Sequence, residues 1–273
     1  MSTVLVTGAA RGIGKTIVTH LGAAGWDVIA GVRSQADADA LSVLPRVSAV
    51  LLDVTDDAQI AALPTLLPER LDAVVNNAGI AVSGPIEALT AAQLRRQLDV
   101  NVVGQLAVTN AVLPRLRASR GRILFISSVN GRISLPLLGA YSASKFALEA
   151  AADAMRLELK PWKIAVSVIE PAQTDTDLWR KADQSVDEME AAMTPSQRAL
   201  YAKHIVGMRK SIPMSQRLAV SADKVATVVE QALTARSPRA RYPVGIGPAV
   251  QMGVVTSLPT VIRDQLIGRI TGI

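Results

Sequence analysis

The stretch "TVLVTGAARGIGKTIVTHLGAAG", residues 3–25, decides the fold. It opens with TVLVT (3–7), a short run without polar alternation, which is how a strand buried on both faces reads. Gly8, Gly12 and Gly14 follow, and residues 13–25 then carry apolar side chains at helical spacing. A chain turning from strand to helix needs positions without a Cβ where the backbone takes a positive φ or comes close to a ligand. The helix N-terminus beyond presents unpaired N–H groups and the positive end of its dipole, a receptor for phosphate. A glycine triplet alone reads equally well as a mere tight turn. This one follows the first strand and opens a helix, the context a dinucleotide-binding turn requires, although its G-x-x-x-G-x-G spacing departs from the general G-x-G-x-x-G.

The alternation continues along the chain. Apolar runs recur at DVIAGVR (27–33), VSAVLLD (47–53), LDAVVNN (71–77), RILFISS (122–128) and IAVSVIE (164–170), each read as buried on both faces. Segments with helical apolar spacing lie between them at 56–67, 90–118 and 141–160. Strand and helix in turn imply right-handed crossovers, hence an α/β fold: a single-domain, Rossmann-type, doubly wound parallel sheet with helices on both faces. No linker, repeat or low-complexity tract divides residues 1–273. Beyond 171 the pattern loosens. Residues 176–218 are polar, charged and dotted with methionines (Met189, Met193, Met208, Met214), and are expected to form a helical lid over the substrate. A helix (221–236), a strand (Arg241–Val244) and an apolar, Pro-interrupted C-terminal extension (245–273) complete the chain.

Composition excludes several classes of function. With 49% hydrophobic and 19% charged residues a large core is expected, and with 3% aromatics it must be built from Ala, Val, Leu and Ile. No cysteine is present, so no disulfide, thiolate metal site or Cys nucleophile exists, and two histidines argue against a zinc site. The opening MSTVLVTGAA lacks the pattern of a signal peptide, and no apolar run reaches the ~18–20 residues that span a bilayer, so a cytoplasmic location is expected. The net charge of +6 comes from scattered arginines without interleaved aromatics, which does not point to nucleic acid. The C-terminal tail is apolar enough to raise association with a membrane surface, but Gly and Pro interrupt it, and core or dimer packing is the expected role.

The end of the second strand bears on the cofactor. An acidic residue there accepts bonds from the 2′-hydroxyl of NAD, and a basic one accommodates the 2′-phosphate of NADP. This strand ends with Arg33 and no carboxylate, and Arg11 lies within the glycine turn, so NADP(H) is expected in preference to NAD(H).

Taken with T-G-A-A-R-G-I-G (7–14), several further pieces resemble one family: D-V (53–54), N-N-A-G (76–79), Asn101 in LDVNVVG, ISSVNG (126–131), Y-S-A-S-K (141–145) and EPAQTDT (170–176). Seven pieces in order over residues 3–176 are similar to the short-chain dehydrogenases/reductases. The resemblance implies that Gly8, Arg11, Gly12, Ile13 and Gly14 hold the cofactor's phosphates and that Asp53 and Val54 contact adenine. It places Asn77, Ala78 and Gly79 along the cofactor, and Pro171, Thr174 and Thr176 near the nicotinamide. It implies a catalytic tetrad of Asn101, Ser128, Tyr141 and Lys145. Ser128 is preferred to Ser127 because it precedes Tyr141 by thirteen residues, the family's usual separation.

Those residue types suit carbonyl reduction, which needs hydride on carbon and a proton on oxygen. A tyrosine with its ordinary pKa of about 10 is a poor proton shuttle near neutrality. A lysine one helical turn away shares its face, and its ammonium, with the oxidised nicotinamide, is expected to stabilise the phenolate and draw that pKa down. Lys145 and Tyr141 would also hold the nicotinamide ribose. Ser128 would bond the substrate oxygen, and Asn101 would position a water that relays protons to Lys145. The chain departs from the family at Ala172, where glycine is usual, and at Thr174, where an apolar residue is usual. Altered seating of the nicotinamide is the expected consequence.

Arg33, VIEP before the loop, ARSPRARYPVG and LPTVIRDQLI resemble the branch containing 17β-hydroxysteroid and retinol dehydrogenases. The resemblance implies a bulky apolar alcohol or ketone as substrate, with Leu178, Trp179, Met189, Met193 and Met208 of the lid available to it. The family pairs the helices matching 90–118 and 140–160, so a homodimer or homotetramer is expected. The alternative is a catalytically silent NADP(H)-sensing protein, but such a protein would be expected to lose members of the tetrad.

Overall fold

The structure is a computed structural model that describes residues 2–175, 182–245 and 255–271. Of the residues singled out above, Thr176, Leu178 and Trp179 lie outside the described ones.

Six strands appear where the apolar runs predict them: β1 (Thr3–Thr7), β2 (Asp27–Val32), β3 (Val47–Leu51), β4 (Ala73–Asn76), β5 (Arg122–Ile126) and β6 (Ala165–Pro171). With β9 (Arg241–Val244) they form one parallel seven-stranded sheet in the order β3-β2-β1-β4-β5-β6-β9. Adjacent residues of each strand face opposite sides. Val4 and Val6 join one core with α1 (Gly12–Ala23), α2 (Gln35–Ser42) and the helix Ala222–Thr234, while Leu5 joins the other with α3 (Asp57–Leu66) and the helices on that face. Burial of both faces is why the strands lack polar alternation.

The expectation for 47–53 needs correction. Strand β3 pairs only with β2, and only Val47 of its five residues is buried, with Leu51 45% exposed. Its apolar composition matches that of the central strands, but an edge strand has a neighbour on one side only.

The predicted helix over 90–118 is three elements. The helix α4 (Ala91–Leu98), opened by a Thr90–Gln93 capping box, widens into a π turn (Asp99–Val103) before α5 (Gly104–Ser119). Gly104 lets the end of this turn pack on the segment after β3, because a Cβ there would collide with the Val54 carbonyl oxygen. The turn faces Asn101 inward, where it is fully buried, and such π bulges recur at functional sites.

Helix α6 (Gly139–Glu158) packs along β6. Residues 182–217 hold α7 (Ala182–Ala191) and α8 (Pro195–Arg217), and the chain on either side of them is joined by a parallel pair, β7 (Thr174–Asp175) with β8 (Val220–Ser221). Val186, Met189, Met193, Ile205 and Ile212 form a third apolar cluster with Leu137, whose φ of 63° is left-handed. Met189 and Met193 are therefore packing residues. The helix Ala222–Thr234, α9, lies on α1, and α10 (Thr260–Thr271) lies against α8. Among the described residues no helix is long and apolar enough to cross a membrane.

Candidate active site

Strand order reverses between β1 and β4, and the crevice at their C-terminal ends is where parallel α/β sheets bind ligands. The glycine turn lies there. Gly8 and Gly12 have φ of 63° and 54°, a region that favours glycine. A Cβ on Gly8 would sit 2.8 Å from Ala78 Cα, so the turn packs directly on the end of β4. The buried Thr7 hydroxyl accepts from the Asn77 and Ala78 amides at 3.0 Å each, and Asn77 Nδ2 donates to the Thr7 and Gly8 carbonyls at 3.0 Å. Helix α1 begins at Arg11 with no side-chain cap and no acidic residue in its first turn. Its leading amides are thus left for an anion, which fits the pyrophosphate of a dinucleotide. Ile13 is half-buried against the core, and Gly79 sits over Asn101, where a Cβ would lie 3.5 Å from Oδ1.

Beside the turn, Arg11 and Arg33 are exposed. Asp53 binds the Thr55 amide (2.9 Å) and hydroxyl (2.7 Å), and its pKa is lowered chiefly by that amide, with Arg33 contributing. Val54 is buried in the lower core.

The tetrad residues come from three places, the π turn, the cap of the turn after β5 and helix α6, and converge. Asn101 donates Nδ2 to the Ile80 carbonyl (2.9 Å) and to Ser144 Oγ (3.1 Å), and its Oδ1 accepts from the Ile80 amide (2.8 Å). Ser144 in turn donates to the Tyr141 carbonyl at 2.7 Å. Asn101 therefore ties the loop after β4 to the first turn of α6. Ser128 caps the short turn Val129–Gly131 and lies beside the Tyr141 side chain, whereas Ser127 is buried beside Glu149. Lys145 is 4% exposed, its Nζ donates to the Ile126 carbonyl at 2.8 Å, and it lies 5.7 Å from the centre of the Tyr141 ring. Pro171 ends β6, and the buried Thr174 donates Oγ1 to the Ala172 carbonyl at 3.1 Å.

A glycine turn at the strand-order reversal and a Ser–Tyr–Lys group beside it match the comparison with known families, in which residues 2–187 fit the short chain dehydrogenase model. The chain belongs to the short-chain dehydrogenase family. Its relatives include mouse retinol dehydrogenase 5, 31% identical over 97% of this chain and 87% of that protein. Another is the NADPH-dependent 3-dehydrocapnine reductase of Ornithobacterium rhinotracheale, 32% identical over 96% of this chain and 94% of the relative. Among solved structures, a short chain dehydrogenase from Burkholderia cenocepacia in complex with NADP superposes with a TM-score of 0.76 at 25% identity, covering 97% of each chain. The chain is an oxidoreductase of this family and resembles its retinol dehydrogenase-like branch.

The electrostatics of this dehydrogenase site differ from expectation in one respect. Burial raises the Tyr141 pKa, opposed only by the neighbouring Ser128, so the expected lowering is not met in the chain alone. The reason is the dry setting. Lys145 is itself brought down to about 8 by burial, against the attraction of Glu149, and its Nζ points to the Ile126 carbonyl.

Three positioning residues were not anticipated. Gln97, one turn before Asn101, accepts from the Val82 amide (2.7 Å) and donates to the Ile80 carbonyl (3.0 Å) and Ser144 Oγ (3.3 Å). Gln105 donates to the Ala78 carbonyl at 2.6 Å. Both glutamines are fully buried, as is Ser144. Their four-residue spacing about Asn101 was a usable signal, but a helical glutamine reads as surface until the π turn is seen.

Proposed function

We propose that the protein is an NADP(H)-dependent oxidoreductase interconverting a carbonyl and an alcohol on a bulky apolar substrate, retinoid-like, steroid-like or another hydrophobic ketone. The observation that carries this reading is the buried Lys145 at 5.7 Å from the Tyr141 ring, with Ser128 beside the tyrosine and the uncapped start of α1 at the same crevice.

Gly8, Arg11, Gly12, Ile13 and Gly14 would hold the pyrophosphate. Asp53 and Val54 would flank the adenine, Asn77, Ala78 and Gly79 would line the crevice, and Pro171, Thr174 and Thr176 would bound the nicotinamide. When bound, the reduced cofactor supplies hydride to the carbonyl carbon. The Tyr141 hydroxyl gives its proton to the carbonyl oxygen, and Ser128 donates a second hydrogen bond to that oxygen as charge develops. The charged Lys145 then stabilises the Tyr141 phenolate across a water-poor space, where such attraction is strong. Asn101 has its side chain committed to Ile80 and Ser144, so its part is to fix the start of α6, and a relay water would have to use its backbone.

Arg11 and Arg33, both exposed at the adenosine end, support NADP(H) over NAD(H), as do the NADPH-dependent relative and the NADP-bound neighbour. The retinol dehydrogenase relatives support a bulky apolar substrate. The apolar groove between α5 and α6, with Leu106, Leu113, Ala154 and Trp162 on its walls, supports a homodimer or homotetramer. A cytoplasmic location completes the reading.

The test is consumption of NADPH and of NADH over a panel of retinoid, steroid and aliphatic carbonyls. Turnover of apolar members with NADPH preferred is expected, and Arg33→Asp should narrow the NADPH-to-NADH ratio by about tenfold or more, in line with a charge-assisted hydrogen bond to phosphate. An unchanged ratio would remove Arg33 from the cofactor, and turnover confined to small polar carbonyls would overturn the substrate class.

A further inference from the structure

Behind Lys145 lies a cluster of charged side chains that the reaction described above does not use. Glu149 follows Lys145 by one turn of α6, about 6 Å along the axis, and both are buried, 5% and 4% exposed. Glu149 Oε2 accepts from Arg241 Nε of β9 at 3.0 Å. The same guanidinium lies 3.6 Å from Glu170 Oε1 of β6 and binds Asp153 Oδ2 at 2.7 Å through its other arm. Arg132, in the loop after β5, reaches Glu170 Oε1 at 3.4 Å. Asp153 also pairs with Arg156. The second Glu149 oxygen, Oε1, is buried beside the Ser127 hydroxyl without a hydrogen bond of good geometry to a described residue.

Two carboxylates this deep and this close are unfavourable unless a cation on each side compensates them. Arg241 compensates Glu149 on the β9 side. On the side of the reacting groups the cation facing Glu149 is Lys145. We propose that Glu149 is a positioning residue for Lys145, a fixed carboxylate clamped by Arg241 that keeps the lysine ammonium charged within the dry site. The inference rests on the reading that Lys145 acts beside Tyr141.

The physical need is evident from burial. A lysine this enclosed loses its proton readily, and Lys145 is already drawn to about 8, with Glu149 the attraction that opposes the loss. Burial raises Glu149 itself, while Ser127, Arg241 and Arg132 hold it down. Glu170 is pushed to about 7, by burial first and by Glu149 next. The groups facing Glu149 are thus Lys145 and Asp153 on its own helix, Arg241 from β9, Glu170 from β6 and Arg132 from the loop after β5. Arg241 binds Glu149 directly at 3.0 Å, whereas Glu170 has only the longer approaches of Arg132 (3.4 Å) and Arg241 (3.6 Å), so Glu149 is the better compensated of the two carboxylates.

The experiment titrates Lys145 directly in the cofactor-free protein, by the Nζ chemical shift of nitrogen-15-labelled lysine, assigned by its disappearance in Lys145→Arg. The wild-type midpoint is expected at about 8. In Glu149→Gln it should fall by about one pH unit or more, the usual effect of losing an adjacent opposite charge, and in Glu149→Asp it should stay within about half a unit. The alkaline limb of the rate should move with it. If Glu149→Gln does not fold, Glu170→Gln takes its place: it removes negative charge farther from Lys145, and a smaller downward shift is expected. A midpoint unmoved in Glu149→Gln, or unmoved or raised in Glu170→Gln, overturns the proposal. A shifted midpoint in a protein whose turnover ignores Tyr141 would leave Glu149's role standing and overturn the reading of the reaction instead.

Discussion

Replacing Asn101 by alanine removes three hydrogen bonds at the joint between the loop after β4 and helix α6. Two ran from Nδ2 to the Ile80 carbonyl (2.9 Å) and Ser144 Oγ (3.1 Å), and one from the Ile80 amide to Oδ1 (2.8 Å). The Ile80 carbonyl keeps Gln97 Nε2 at 3.0 Å, and Ser144 keeps Gln97 and the Tyr141 carbonyl, so the Ile80 amide is the group left without its partner. At about 1 kcal/mol for each net bond, with the larger penalty of a buried orphan donor, the loss is about 3–4 kcal/mol. For a chain of this size that lowers Tm by about 6–15 °C. The assay is thermal unfolding followed by circular dichroism, repeated with Ser144→Ala and with the double variant. Ser144→Ala also removes three bonds, from Gln97, from Asn101 and to the Tyr141 carbonyl, and should lose about 3 kcal/mol at the same rate. The double variant should fall short of additivity by about 1 kcal/mol, because the Asn101–Ser144 bond is counted twice. A Tm within about 1 °C of wild type for Asn101→Ala, or strict additivity of the pair, would refute the clamp.

Two further outcomes follow from the geometry. Gly8→Ala must place a Cβ 2.8 Å from Ala78 Cα at a φ of 63°, so NADPH affinity, read by fluorescence titration, should fall at least ~10-fold as the turn shifts, given the ~1–2 kcal/mol of left-handed strain alone. Gly25→Ala, with a φ of 91° and nothing within 4 Å, bears strain without the collision and should leave that affinity unchanged. Glu170 binds its proton more tightly folded (about 7) than its ordinary 4.5. Its contribution to stability is therefore complete below pH 4.5 and is lost as pH rises through 7, about 3 kcal/mol at ~1.4 kcal/mol per unit. Lys145, drawn down to about 8 from 10.5, acts in the opposite sense, with stability regained between those values as the unfolded chain alone stays protonated. Urea unfolding at several pH values should show wild type losing stability from pH 4.5 to 7 and Glu170→Gln losing much less; parallel curves would contradict the assignment.

The strands and the glycine turn were legible in the sequence because each central strand is buried on both faces, which leaves an unbroken apolar run. The same signal misread β3, since apolarity does not distinguish an edge strand from a central one. Nothing in 90–118 announced the π turn: Gly104 reads as a flaw in a helix until the Val54 carbonyl is seen against it. Ser128 was separable from Ser127 by spacing, and the two do face different partners, Tyr141 and Glu149. The charge cluster was illegible, because Arg132, Glu149, Glu170 and Arg241 come from distant parts of the chain and each alone reads as surface. The sequence places Tyr141 and Lys145 on one helix face but does not show how dry their surroundings are, and in the chain without cofactor burial raises the tyrosine pKa.

The most direct test of the central claim is NADPH oxidation with an apolar carbonyl substrate by wild type and Tyr141→Phe, each with its NADPH affinity measured alongside. Tyr141→Phe deletes one hydroxyl, and that hydroxyl is the proposed proton donor. Turnover should fall by about 10²–10⁴-fold with NADPH affinity within about threefold of wild type. A Tyr141→Phe enzyme that turns over at the wild-type rate would contradict the assignment of Tyr141 as the acid.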